Sequence, residues 1–186
     1  MDSLCGSTSF YLGIFLLSLS ANLSAQPEND SNPFDYKWLN KRLPLDTLVS
    51  YEGDTLKLFE STDSSIYVIS FWYTNCQPCI AEIEALNELK RKYSSTNIRF
   101  IAISFDTKEQ VDELLKSHPF EFEQFYLSQQ QINENGLAIG YPTNLIVKAD
   151  GTVFFQKSGG SAEYEKAQKI FSILSNEIDR LNNSTD

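Results

Sequence analysis

Residues 66–93 read IYVISFWYTNCQPCIAEIEALNELKRKY, and the whole fold can be worked outward from them. Residues 66–72 are a short apolar run rich in β-branched and aromatic side chains, the pattern of a strand buried on both faces. Beyond Cys79 the apolar positions Ile80, Ile83, Leu86, Leu89 and Tyr93 recur at helical spacing, while Glu84, Glu88 and Lys92 form an i,i+4 series on the wet side. Pro78 fits the first turn of that helix, where its missing N–H costs nothing. Cys76 and Cys79 therefore stand where a buried strand hands over to a helix.

That position bears on their chemistry. A thiolate is the attacking form of cysteine, and its pKa falls at a helix N-terminus, where unpaired N–H groups and the helix dipole favour negative charge. Cys76 is placed to receive this benefit, and Cys79, one turn deeper, is near enough to close a disulfide with it. Cys76 is then expected to attack a substrate disulfide and Cys79 to resolve the mixed one. Two other uses of the pair stay open on the residues alone. A closed zinc site needs about four ligands, whereas only Cys5 and His118 remain to supply them in this chain. A structural bridge this short removes little entropy from the unfolded chain.

The rest of the chain frames the pair. Its 186 residues suffice for one domain with a real core plus an N-terminal extra. A net charge of −10 argues against nucleic acid, which demands clustered Lys and Arg. Residues 1–25 carry an apolar stretch at 10–23, short for a membrane span and suited to a signal peptide cleaved after Ala25, or else retained as an anchor. With such a segment removed, the CxxC pair would be the only cysteines left, in an oxidising compartment where a dithiol has work to do. Residues 26–37, polar with two prolines, read as a flexible linker, 38–182 as the folded domain and 183–186 as a tail.

Within the domain, residues 43–50 and 55–59 read as a hairpin about Glu52-Gly53-Asp54. Residues 98–105 read as a second buried strand and 107–117 as a helix with Val111, Leu114 and Leu115 inward. A strand at 120–127 and a short helix at 129–137 follow. Next comes a hairpin of 143–147 with 152–156, turning on the two-residue signal Asp150-Gly151. A last helix spans about 162–181 after Gly159-Gly160. This order predicts an α/β domain with a central mixed sheet and helices on both faces. His118, before Pro119 at a helix end, reads as a capping or surface residue. Phe120, Phe122, Phe125 and Tyr126 read mostly as core, with partner docking as the alternative.

The segment FWYTNCQPCIAEIEAL resembles the active-site segment of the thioredoxin superfamily, and particularly of its extracytoplasmic TlpA/ResA-like branch. Gly140-Tyr141-Pro142-Thr143, with Pro142 63 residues beyond Cys79, resembles that family's cis-proline loop, and TNLIVKADGTV its following strand–turn–strand. The resemblance covers about residues 38–182 and implies a thioredoxin-like fold with an N-terminal β-hairpin and an insertion before the cis-proline strand. It implies a redox-active Cys76–Cys79 disulfide, a cis Tyr141–Pro142 peptide facing it, and a Tyr141 backbone that pairs with an extended substrate. It also implies that Glu82, three residues after Cys79, helps move the proton of the deeper cysteine. A carboxylate beside a thiol can accept its proton, and partial burial brings its pKa into a useful range. Asn75, Gln77 and Pro78 complete the expected substrate surface, while Trp72 reads as core beside the site, with a contribution to that surface as the alternative.

This chain departs from the family pattern in three places. Asn75 stands where Trp commonly precedes the first cysteine, Ser70 where many thioredoxins bury an aspartate, and Glu84 where a proline usually follows the helix glutamate.

The expected activity is thiol–disulfide exchange without a cofactor or metal. Its partners would be exported proteins bearing cysteine thiols or disulfides, together with an envelope redox protein that recycles the dithiol. The resemblance places it in the periplasm or cell envelope and points to reduction, as in cytochrome c maturation. The alternatives are a non-catalytic interaction or metal-carrier module and, less in keeping with YTNCQPC, a thiol peroxidase.

Overall fold

The computed structural model describes residues 37–60, 66–137 and 140–183, together with Met1. The expected signal segment apart from Met1, all of the linker but Lys37, and residues 184–186 lie outside the described residues. The chain divides into residues 1–30 and 31–186, and the fold below belongs to the second unit. No helix among the described residues is long and apolar enough to cross a membrane.

The elements follow in the order β1 (Thr47–Ser50), β2 (Thr55–Lys57), β3 (Ile66–Phe71), α1 (Gln77–Lys92), β4 (Ile98–Ser104), α2 (Lys108–Ser117), β5 (Glu123–Tyr126), α3 (Gln129–Glu134), β6 (Thr143–Lys148), β7 (Val153–Ser158), α4 (Tyr164–Ala167) and α5 (Lys169–Asn183). The strands form one sheet in the order β2-β1-β5-β4-β3-β6-β7. β3 is its hub, parallel to β4 and antiparallel to β6. All six β3 residues are buried, as a strand covered on both faces requires. The α1 crossover makes the parallel β3–β4 pairing, because parallel neighbours cannot be joined by a tight turn.

Alternation along β3 splits the core in two. Ile66, Val68 and Trp72 pack with Ile83, Leu86 and Leu89 of α1, Val111 of α2 and Leu174, Ile178 and Leu181 of α5. Tyr67, Ile69 and Phe71 face the other layer, built from Leu43, Leu45, Leu48, Leu58, Ile132 and Leu137. The helices thus cover the two faces unequally. The face opposite α1 is closed by the hairpin, the 38–45 segment and the six-residue α3.

The structure corrects several local expectations. The Asp150-Gly151 hairpin is not a two-residue turn. Gly151 N–H donates to Lys148 O and Lys148 N–H to Thr152 O, each at 2.9 Å, and Gly151 has φ +85°. That is a three-residue loop ending in a left-handed glycine, a type I turn closed by a bulge. The last helix is broken at Gln168 into α4 and α5, and the Gln168 side chain instead donates to Ala81 O of α1 at 2.8 Å. Leu114 and Leu115 are only half-buried, leaving Val111 as the buried anchor of α2. Lys92 turns to Asp179 of α5 and Glu84 to Arg91, so the expected i,i+4 series is not the pairing used.

Candidate active site

β3 ends at Phe71 and delivers the chain to the site under backbone control. Trp72 N–H donates to Ile103 O at 3.0 Å, extending the β3–β4 ladder by one bond. Thr74 N–H donates to the carboxylate of Asp106, which is 8% exposed just past β4. Ser104 Oγ lies 3.4 Å from the same carboxylate oxygen and accepts the Asp106 N–H at 3.2 Å. The loop before the cysteines is thereby tied to the end of its neighbouring strand.

Cys76 is the N-cap of α1, with extended backbone at φ −88° and ψ 96°. It is bridged to Cys79, with S–S 2.02 Å and Cα–Cα 5.2 Å. Cys79 N–H donates to Cys76 Sγ at 3.2 Å, and Ile80 N–H to Cys76 O at 3.0 Å. When the bridge is reduced, that amide and the helix N-terminus favour a thiolate on Cys76. Exposure does not separate the two sulfurs, since both residues are 3% exposed. What distinguishes Cys76 is the cap position, rather than the shallower burial expected of an attacking cysteine.

Glu82 lies one turn along α1 from Cys79 and is itself 3% exposed. Asn144 Nδ2 donates to its Oε2 at 2.9 Å. Burial pushes the Glu82 carboxyl up from 4.5 to about 7, against the opposing pull of the Asn144 amide and the Lys157 charge. Asn144 comes from β6, where it pairs with Ser70 of β3. The serine thus places a small buried hydroxyl on the sheet face that α1 covers. Gly160 lies against the other carboxylate oxygen, and a Cβ there would sit 2.6 Å from Glu82 Oε1 and 3.0 Å from Pro142 Cγ.

The Tyr141–Pro142 peptide is cis, and Pro142 is buried with its carbonyl accepting Gly159 N–H at 2.7 Å. The half-buried Tyr141 ring meets Tyr73 at 5.1 Å and Phe105 at 5.7 Å, both near edge-on, and Tyr73 stacks on Phe105 at 5.4 Å. These three rings bind the loop before Cys76, the end of β4 and the cis-proline turn together. Beside them an open groove of about 630 Å³ runs between Thr74 and Asn75 and the α2 residues Glu109, Gln110, Glu113 and Leu114.

Among the predicted surface residues, Asn75 and Gln77 are exposed and Pro78 and Tyr141 are half-buried. Trp72 is not a surface residue. It is 1% exposed and packs edge-on against Phe120 at 5.6 Å, because strand alternation sends its side chain under α1. Phe120, Phe122 and Phe125 are core, whereas Tyr126 is 40% exposed. His118 caps α2 and its Nδ1 is 2.9 Å from Ser117 Oγ, consistent with its reading as a helix end. Asn144 and Asp106 went unnoticed in the sequence, and Gly160 was read only as a chain break before the last helix. The one available signal was Asn144, an amide directly ahead of the apolar run Leu145-Ile146-Val147.

A disulfide at the head of the helix that follows the central parallel strand, in a chain with a cis-proline turn before β6, defines a thioredoxin-fold thiol–disulfide oxidoreductase. The chain belongs to the AhpC/TSA family, whose model matches residues 39–156. It is 26% identical over 122 residues to the thiol-disulfide oxidoreductase ResA of Bacillus thuringiensis subsp. konkukian, covering 65% of this chain and 70% of that one. It is 21% identical over 127 residues to the thioredoxin-like protein YneN of Bacillus subtilis, covering 67% and 74%. Among solved structures, a thiol-disulfide oxidoreductase from Bacteroides fragilis matches with TM-score 0.56 at 20% identity, over 70% of this chain and 99% of that one. StoA from Bacillus subtilis matches with TM-score 0.52 at 17% identity, over 66% and 94%. The likeness to solved structures is one of fold. The relatives named ResA bear out the resemblance to the TlpA/ResA-like branch.

Proposed function

We propose that this protein reduces disulfides of exported proteins by dithiol exchange through Cys76 and Cys79, in an envelope task of the cytochrome c maturation kind. The observation that carries the reading is the arrangement at the head of α1, where Cys76 caps the helix, Cys79 donates its N–H to Cys76 Sγ, and Glu82 lies buried one turn on. The Cys76 thiolate attacks one sulfur of the substrate disulfide and releases the other as a thiolate. Cys79 then gives its proton to the Glu82 carboxylate and attacks Cys76 Sγ. The Cys76–Cys79 bridge forms, the second substrate sulfur leaves as a thiolate, and two electrons have passed to the substrate. A redox protein of the envelope returns two electrons to the bridge.

Glu82 suits that step because a carboxyl near 7 can take and return a proton at neutral pH. Asn75, Gln77 and Pro78 would form the rim that meets the substrate, with the Tyr141 backbone pairing with its extended chain. Export rests on the signal-like composition of residues 1–25.

The test is the reduction potential of the full chain, equilibrated in graded thiol buffers with thiols counted by alkylation and mass. A value at or below about −220 mV supports the reductase, and one above about −180 mV makes it an oxidase or isomerase. Cysteines that never exchange with the buffer would replace the enzyme with a binding module.

A further inference from the structure

We infer that Asn144 is the positioning residue of Glu82: its amide holds Oε2, leaves Oε1 as the oxygen that carries the proton, and so sets the pH at which Cys79 can be deprotonated. This rests on the proposed proton-accepting role of Glu82.

The argument begins with what Asn144 costs. It lies in β6 between Thr143 and the buried run Leu145, Ile146 and Val147, and is itself 1% exposed. A buried amide is unfavourable unless its polar atoms are paired. Asn144 Oδ1 has no hydrogen-bond partner among the described residues, and neither has Ser70 Oγ, which belongs to its cross-strand partner. The Asn144 side-chain hydrogen bond that is present runs to Glu82 Oε2. With one amide atom unpaired and the other bound to Glu82, the amide is explained by the carboxylate it serves.

The two carboxylate oxygens of Glu82 consequently stand in different surroundings. Oε2 accepts the Asn144 N–H, and a proton placed there would compete with that bond. Oε1 lies on the Gly160 side, where an added Cβ would sit 2.6 Å from it, so protonation at Oε1 leaves the amide contact intact. A donor to a carboxylate binds the charged form more strongly than the neutral one. Asn144 therefore opposes the upward push of burial and keeps Glu82 able to ionise near neutrality. The other groups that act on this carboxyl are Lys157 of β7, which also favours the charged form, and the thiols of Cys76 and Cys79 once the bridge is reduced.

The experiment follows the Glu82 carboxyl by infrared titration of the full chain in its disulfide form, where the thiols do not titrate. Thiol-exchange rates are measured against pH on the same samples. Wild type should show a protonated-carboxyl band with a midpoint near 7 that is absent from Glu82→Gln. Asn144→Ala should move that midpoint upward by about one pH unit, the size expected for losing a bond to a charged group. The exchange profile should move with it, and neither should move when Asn144→Ala is added to Glu82→Gln. Asn144→Thr, which suits a strand but whose hydroxyl is too short to reach Oε2, should reproduce the shift if the alanine variant folds poorly. An unmoved midpoint in a folded Asn144 variant, with the band still abolished by Glu82→Gln, overturns the inference and leaves the proposed function standing. Absence of any Glu82 effect on exchange overturns the proton-accepting role and the inference with it.

Discussion

Gly160 rests on the Glu82 carboxylate so closely that a Cβ there would lie 2.6 Å from Oε1 and 3.0 Å from the Pro142 ring. The residue is itself solvent-exposed, so a buried acid lies next to an exposed stretch of backbone after β7. Gly160→Ala must displace the carboxylate, the proline ring or the loop. The expected cost is about 1–3 kcal/mol of stability, as for other overpacked sites. The exchange rate at neutral pH should fall with it, because the displaced groups are those of the site. Urea unfolding and exchange kinetics on the same sample check both. A variant as stable and as fast as wild type would show that the loop moves aside freely.

Glu82 also makes stability depend on pH. Its carboxyl is raised by burial from 4.5 to about 7 in the folded chain. Between those values the folded form holds a proton that the unfolded form has lost, so this group's contribution to stability is fully present below about 4.5 and is lost as pH rises through 7. This one group contributes a decline of up to about 3 kcal/mol over that window. Glu82→Gln should remove that component of the slope, leaving the remaining carboxylates to set the acid limb. Chemical denaturation at half-unit pH steps from 4 to 8 on both proteins measures the difference.

Asp106 holds the loop before the cysteines through the Thr74 N–H. Asp106→Ala leaves that amide without its acceptor and should cost about 1–3 kcal/mol. Asp106→Asn keeps an acceptor and should recover most of the loss. Hydrogen exchange at the Thr74 amide is the local readout, expected to quicken in the alanine variant and much less in the asparagine one.

Trp72 offers a direct contrast between core and surface. Trp72→Ala should cost about 3–5 kcal/mol, the range for emptying a buried aromatic site. Trp72→Phe should cost less, with kcat/KM per folded molecule close to wild type toward a peptide disulfide. A selective rise in KM for Trp72→Phe at unchanged stability would mean that the indole reaches substrate after all.

The strand–CxxC–helix handover was legible because every signal it needs is local. The apolar run of β3, the proline in the first turn of α1 and the helical period of Ile83, Leu86 and Leu89 all lie within residues 66–93. The loop at Gly151 and the break at Gln168 were misread for different reasons. The side chain captured by Ala81 O depends on a partner far away in sequence, whereas the loop length at Gly151 depends on which of the near neighbours Lys148 and Thr152 close the last strand pair, a choice the Asp-Gly signal does not make. Trp72 takes its core reading and not the surface one, because strand alternation and not adjacency to the cysteines decides which sheet face its side chain enters.

By itself the sequence determined the dithiol, its place at a helix start and the kind of sheet behind it, since these follow from residue type and short-range period. It also singled out Glu82, but only as a residue on the same side of a helix as Cys79. Whether that glutamate was a wet surface charge or a buried acid was decided by α1 packing on β3 and β6, which brings Asn144 across from position 144 and lays Gly160 over the carboxylate. A pKa answers to burial and to neighbours gathered from across the chain, and only the folded structure supplies those.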